Sequence, residues 1–342
     1  MTVHGVFNRL IGRYDPDGIL DVLTGFPRQV ELALELEVAI RRKPRSIVVA
    51  GMGGSALGGQ LVTDLLRDRL PVPLIVHRDY AVPEFVDESS LVVAISYSGD
   101  TEETVSAFES ASKRGAEVVA ISSGGRLKAI AERRGAGHLA LPQGIPPRMA
   151  WAYLSLPLIK MFAGAGLCDL DTQGLSTLMS RLCREYQPGR QNEPIELAHE
   201  LRGLIPIYCS SSSTSILAYK WKINTNENAK QQAFASVFPE LNHNEMMGWR
   251  WPDDSLRRFA LVFLRTDFEG ESIARRIELT KEIVGGGPEK ILEFEAPGRT
   301  KIEQLFASIY AGDFMSYYLA LLNHENPGSV AAVEQLKARL AG

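Results

Sequence analysis

Leu91-Val92-Val93-Ala94-Ile95-Ser96-Tyr97-Ser98-Gly99-Asp100-Thr101-Glu102-Glu103-Thr104 decides how this chain reads. A run of pure β character enters a turn of short hydroxyls and glycine, and Val105, Phe108 and Ala111 then follow at helical spacing. A turn between a buried strand and a helix N-terminus offers backbone N–H groups, the positive end of a helix dipole and short side-chain donors. A phosphate group needs those features. Asp100, Glu102 and Glu103 share the turn. Carboxylates in a first helical turn also stabilise the helix by themselves, so a well-capped N-terminus is the competing reading.

The same alternation extends on both sides. Strand-like runs at Ser46–Ala50, Pro73–His77, Leu91–Ile95, Glu117–Ile121 and His138–Pro142 alternate with helical segments at Ala56–Arg69, Thr101–Lys113 and Leu127–Arg133. Val30, Leu34, Leu36 and Ile40 predict an amphipathic helix ending near Arg41-Arg42-Lys43-Pro44. Continuous apolar strands separated by helices imply an α/β fold with a parallel sheet covered on both faces. Right-handed crossovers make it doubly wound, with its crevice beyond the carboxyl ends of the strands.

A second α/β pattern follows, with strands at Leu204–Cys209, Phe259–Arg265 and Lys290–Phe294 and helices at Ser213–Lys222, Ser272–Val284, Lys301–Leu322 and Val330–Leu340. The strand-to-hydroxyl-turn unit recurs at Cys209-Ser210-Ser211-Ser212-Ser213-Thr214. The expected organisation is an N-terminal extension over 1–27, a first α/β domain over 28–166, a connecting helix and linker over 167–194, and a related second domain with C-terminal helices over 195–342.

Composition narrows the function. The 342 residues are 45% hydrophobic and 23% charged with a net charge of −4, an ordinary globular balance with no general attraction to nucleic acid or anionic membranes. Cys168, Cys183 and Cys209 are widely spaced with no CxxC, which points to a reducing compartment and no zinc site. The longest apolar run, Ala150 to Gly166, is interrupted by Pro157 and Lys160 and is short for a bilayer span. Met1-Thr2-Val3-His4-Gly5 lacks a signal-peptide pattern, so the cytoplasm is the expected location.

The first strand ends in Gly51-Met52-Gly53-Gly54-Ser55-Ala56-Leu57-Gly58-Gly59. The spacing is not GxGxxG, and only Asp79 stands near the end of the second strand, so a nicotinamide dehydrogenase is disfavoured. The turn supplies close backbone approach and the Ser55 hydroxyl, next to Ser96, Ser98 and Thr101. Gly144-Ile145-Pro146-Pro147-Arg148 follows the last strand of the first half, and two prolines would hold Arg148 at the sheet edge. Asn224-Thr225-Asn226-Glu227-Asn228 and Glu240-Leu241-Asn242-His243-Asn244-Glu245 supply a carboxylate and a histidine suited to proton transfer beside a carbonyl. Glu240 and Glu245 are rival carboxylates, and Asn-rich segments favour caps and loops. No residue set has metal-ligand spacing.

These blocks, in this order, resemble the bifunctional phosphoglucose/phosphomannose isomerase family, built from two sugar isomerase (SIS) domains. The resemblance implies the flavodoxin-like three-layer αβα form of the doubly wound fold. The resemblance runs from about residue 20 to the C-terminus. It implies that Gly54, Ser55, Ser96, Ser98 and Thr101 bind the sugar phosphate and that Arg148 stabilises an enediolate. Glu227 would move a proton between C1 and C2, and His243 would open the sugar ring from the partner subunit of a homodimer. A C-terminal lysine would assist, with Lys337 fitting the position and Lys301 the fallback. No metal or other cofactor is implied. Family members often carry Thr-Pro before the last helix, where this chain reads Asn326-Pro327-Gly328-Ser329. That departure leaves glucose and mannose preference open. The rival readings are a non-catalytic sugar-phosphate sensor and another sugar-phosphate isomerase on the same scaffold.

Overall fold

Two runs of consecutive apolar residues, Ile47–Ala50 and Leu91–Ile95, are buried throughout, as only strands covered on both faces can be. A computed structural model describes the backbone of residues 3–341 except Leu170, and the side chains of residues 6–339 except Leu170, Asp253 and Lys337. The chain divides into two compact units, Phe26–Ser176 and the residues up to Gly25 together with those from Thr177 onward.

The chain opens with α1 (Val3–Tyr14) and α2 (Ile19–Thr24). The Asp15 carboxylate starts α2 by accepting the N–H groups of Ile19 and Leu20 at 2.7 and 3.0 Å, and it also accepts the Tyr317 hydroxyl at 2.9 Å. These helices bury Phe7, Ile19 and Leu23 in the same unit as the C-terminal half.

The unit Phe26–Ser176 contains α3 (Phe26–Glu35), β1 (Ser46–Gly51), α4 (Gly53–Leu66), β2 (Leu74–His77), β3 (Ser90–Ile95), α5 (Glu102–Lys113), β4 (Glu117–Ser122), α6 (Gly125–Arg134), β5 (Gly137–Ala140) and α7 (Trp151–Gly164). Its sheet is parallel with order β2-β1-β3-β4-β5, so the order reverses between β1 and β3. Helix α3 stops at Glu35, earlier than the apolar spacing through Ile40 predicts. Lys160 donates to the Leu34 carbonyl, and the Glu117 carboxylate accepts the N–H groups of Arg41 and Arg42. The peptide groups at the ends of that segment are thus bonded to other elements and not to a helix.

The other unit continues with α8 (Leu175–Tyr186), α9 (Glu193–Leu201), β6 (Ile205–Ser211), α10 (Ser215–Ala229), β7 (Phe234–Phe238), α11 (Asp253–Leu256), β8 (Phe259–Arg265), α12 (Glu271–Val284), β9 (Lys290–Glu295), α13 (Lys301–Leu322) and α14 (Ala331–Ala341). Its sheet is again parallel, with order β7-β6-β8-β9. Strand β7 was not expected. It is a short edge strand whose Phe234 is 46% exposed, and it lacks the continuous apolar run of the others.

Helix α13 is the core of this unit. A reciprocal capping box between Thr300 and Glu303 starts it, and it is long and apolar enough to cross a membrane by composition alone. Its apolar window is 100% buried within the protein, as in a central core helix.

Helix α10 runs about two turns past the expected end at Lys222, to Ala229. The asparagines that argued for a loop find partners on α13. Lys220 Nζ donates to Asp313 Oδ1 at 2.7 Å and to Asn224 Oδ1 at 2.6 Å, Asn224 Nδ2 donates to Asp313 Oδ1 at 2.6 Å, and Asn228 Nδ2 donates to Ser316 Oγ at 3.0 Å. A side chain bonded across a helix pair no longer competes for its own backbone.

Candidate active site

In the unit Phe26–Ser176 the turns after β1 and β3 lie side by side where the strand order reverses, the place at which open α/β sheets bind ligands. Ser96 is fully buried and organises the second turn. Its Oγ accepts the N–H groups of Gly99 and Thr101 at 3.1 and 3.3 Å and donates to Thr101 Oγ1 at 2.9 Å. Ser98 is exposed and Thr101 half-buried, and Thr101 caps α5 without a side-chain bond to the helix. Ser55 Oγ accepts the Tyr97 N–H at 3.1 Å, which ties the glycine turn to the hydroxyl turn. The hydroxyl proton of Ser55 keeps its donor capacity.

Asp100 has its own task. Its Oδ1 accepts the Arg126 N–H at 2.9 Å in the first turn of α6. Gly99 adopts φ +82, and a Cβ there would lie 1.8 Å from the Gly124 carbonyl oxygen, so the turns after β3 and β4 are packed backbone to backbone.

Arg148 joins this corner and is 5% exposed. A Cβ on Gly54 would lie 2.8 Å from the Pro147 carbonyl and the Arg148 nitrogen, so the glycine turn lets the Arg148 backbone approach. Two further residues, not singled out by sequence reasoning, hold the same loop. Buried Gln29 donates to the Met149 carbonyl and accepts the Ala152 N–H, each at 3.1 Å. The Tyr97 hydroxyl donates to the Pro142 carbonyl at 2.6 Å and accepts the Ile145 N–H at 3.2 Å. Desolvation pushes the Tyr97 phenol above its ordinary value, so it stays protonated. The tyrosine inside the hydroxyl turn was the available signal, hidden because it reads as a core aromatic.

In the other unit, Glu227 is half-buried in the last turn of α10, and its helix ends at Lys230 with φ +51. The Lys230 ammonium donates to the carbonyls of Glu227, Asn228 and Asn326 at 2.9, 3.2 and 2.5 Å. Asn323, just past α13, donates to the Ala229 carbonyl at 3.1 Å. The Asn326–Ser329 segment therefore abuts the end of α10 that carries Glu227. His243 is exposed on a short helical turn, and its neighbours anchor that turn. Asn242 donates to Thr280 Oγ1 on α12 at 2.8 Å, and Glu245 accepts from Ser236 Oγ at 2.6 Å. Glu240 accepts from Asn244 at 3.0 Å, so both rival carboxylates hold the His243 segment. Lys301 starts α13, roughly 30 Å along the axis from the end that meets α10, so it does not reach Glu227 within one chain. The Lys337 side chain lies outside the described residues.

Comparison with known proteins gives the family. The bacterial phospho-glucose isomerase C-terminal SIS domain matches residues 190–340, and the SIS domain matches residues 40–131. The chain is 36% identical over 327 residues to a bifunctional phosphoglucose/phosphomannose isomerase of Caldicellulosiruptor bescii, covering 92% of this chain and 96% of that one. A Thermoplasma acidophilum protein of the same description is 38% identical, covering 86% and 90%. The chain belongs to the bifunctional phosphoglucose/phosphomannose isomerase family. A D-glucosamine-6-phosphate 4-epimerase of Sulfolobus acidocaldarius is also similar, 34% identical over 63% of this chain and 68% of that one. Among solved structures, a hypothetical protein of Thermus thermophilus shares the fold at TM-score 0.73 and 19% identity, covering 99% of this chain and 95% of that one. The tandem SIS architecture read from the sequence is therefore that of the family, and the hydroxyl turn, the Arg148 loop and the Glu227 helix end all fall within its matched length.

Proposed function

We propose that this protein is an aldose–ketose isomerase that interconverts glucose 6-phosphate with fructose 6-phosphate, and accepts mannose 6-phosphate as the alternative aldose. The observation that carries the reading is the assembly at the β1/β3 reversal, where two ligand-binding turns and the Arg148 loop are built into one hydrogen-bonded unit.

Gly54, Ser55, Ser98 and Thr101 would receive the phosphate, with buried Ser96 holding their turn in shape. Binding energy from this non-reacting group orients C1 and C2. Glu227 takes the proton from C2 of the open-chain aldose, a cis-enediol forms, and the same carboxylate returns the proton to C1 of the ketose. The Arg148 guanidinium offsets negative charge on the enediolate oxygens. His243, assisted by Lys337, would open the ring. No step is routed through a metal or nucleotide.

We place His243 at the interface of a homodimer, acting on the partner's substrate. Its exposure supports this, as do the neighbouring Met247 and Trp251 at 72% and 80% exposed and the α12 residues Leu279 and Ile283 at 44% and 68%. Exposed apolar side chains clustered near one segment mark interaction surfaces. The free thiols of Cys168, Cys183 and Cys209 fit the cytoplasm.

Proton NMR of the protein with fructose 6-phosphate in D2O tests the reading. Glucose 6-phosphate and mannose 6-phosphate carrying deuterium at C2 are expected. Absence of both, with binding retained in a thermal shift, would replace it with a sensor. Conversion of glucosamine 6-phosphate alone would replace it with an epimerase.

A further inference from the structure

We infer that Tyr97 is the positioning residue that fixes Arg148, by clamping the loop that carries it to the ligand-binding turn. The inference rests on the proposed role of Arg148 for its catalytic consequence and on geometry alone for its structural one.

Tyr97 sits in the middle of the hydroxyl turn, yet its ring and hydroxyl serve a different segment. Its main chain is held from both sides: the N–H donates to Ser55 Oγ at 3.1 Å, and the carbonyl accepts from Ser123 N and Ser123 Oγ at 2.9 and 2.7 Å. The residue is 7% exposed, and the hydroxyl spans the loop after β5, bonding Pro142 and Ile145 across the intervening Gln143-Gly144. Gly144 has φ +91, so the bond closes a tight turn at this point. Pro146 and Pro147 follow Ile145 directly, and both have a backbone φ limited by their rings. Two stiff residues transmit the position of Ile145 to Arg148. The far side of the loop rests on Gly54, where a Cβ would be 2.8 Å from the Arg148 nitrogen. One tyrosine therefore couples the phosphate-binding turns to the guanidinium that acts on the other end of the substrate.

Removal of the hydroxyl leaves a carbonyl and an N–H without their partner and frees the start of the proline arm. The test uses Tyr97→Phe in the full chain. Phenylglyoxal labelling, mapped by mass spectrometry, should modify Arg148 about tenfold faster in the variant, the factor expected from the loss of one to two hydrogen bonds. Arg28, whose side chain is 65% exposed, serves as the reference and should not change. For isomerisation, kcat should fall about tenfold while KM for the sugar phosphate stays within about twofold, because the phosphate donors remain. An unchanged Arg148 labelling rate overturns the inference, and so does an equal fall in affinity and turnover. In the unaltered protein, the Ile145 amide should be more protected from solvent exchange than that of Gly144, each rate being divided by that of the same residue in an unstructured peptide, and equal protection also overturns it even if the variant does not fold. A wild-type protein inert toward fructose 6-phosphate sinks the isomerase reading, while the labelling and exchange results still decide the role of Tyr97.

Discussion

Gly54 is where the smallest change has the largest expected effect. A methyl group there meets peptide atoms of Pro147 and Arg148 at 2.8 Å, and backbone cannot rotate away as a flexible side chain can. Gly54→Ala should lower stability by about 1–3 kcal/mol and weaken inorganic phosphate binding, both readable in thermal shifts with and without phosphate. Glu227→Gln should retain sugar-phosphate binding and lose isomerisation, with deuterium wash-in at C2 as the readout. Normal turnover by that variant would remove Glu227 from the mechanism. At this scale the hydroxyl turn was legible as a strand-to-helix turn because Ser, Gly and Thr between an apolar run and a helical spacing favour turns and caps. The division of labour within it was not. Ser96 turns inward onto Gly99 and Thr101 of its own turn while Ser98 faces solvent, and the turn that separates them is shaped by Gly99 packing on Gly124, a residue of a different loop.

The helix pair α10 and α13 encloses a buried ion pair. Lys220 and Asp313 have side chains 1% and 2% exposed, and Asn224 bonds both. Lys220→Met leaves the Asp313 carboxylate buried without its cation and should cost about 3–5 kcal/mol in denaturant unfolding. Replacing both partners, Lys220→Met with Asp313→Leu, should recover most of that loss, and failure to recover would mean the pair has a role beyond charge compensation. The end of α10 was illegible for the same reason. Asparagine is a weak helix former on its own, and its partners lie on α13, nearly ninety residues later in the chain. By contrast α13 was read to its ends, since its capping box and apolar run are local.

Strand β5 adds a pH dependence. His138 Nε2 pairs with Ser122 Oγ at 2.9 Å, and burial, reinforced by Lys128, holds its pKa below the ordinary 6.5. The unfolded chain then takes up a proton at a higher pH than the folded one. Stability is present above about pH 6.5 and declines as pH falls through that value toward the lower folded pKa. His138→Gln should show a shallower loss of thermal stability between about pH 7 and pH 5. An identical slope would assign the acid sensitivity to other groups.

For the molecule as a whole, the two parallel sheets were legible because every central strand is a local apolar run bounded by helix signals. Edge strand β7 escaped, being half-solvated, and the destination of the first helices escaped because nothing within residues 1–25 names their partner. The exposed surface around His243 gives a prediction at this scale. The protein should sediment as a dimer, and Trp251→Glu should shift it toward monomer and lower turnover together. A monomeric wild type that turns over normally would remove His243 from a partner's site.

The division of the chain has a consequence for its birth. Residues 26–176 are contiguous, whereas the unit around them is assembled from both ends of the sequence. During synthesis the inserted half has its whole strand set within reach as soon as it leaves the ribosome. Helices α1 and α2, made first, must wait for α8 and α9, and last for α13, before their buried face is covered. Nascent chains arrested near residue 200 should therefore hold a protease-resistant middle behind a cleavable leading segment.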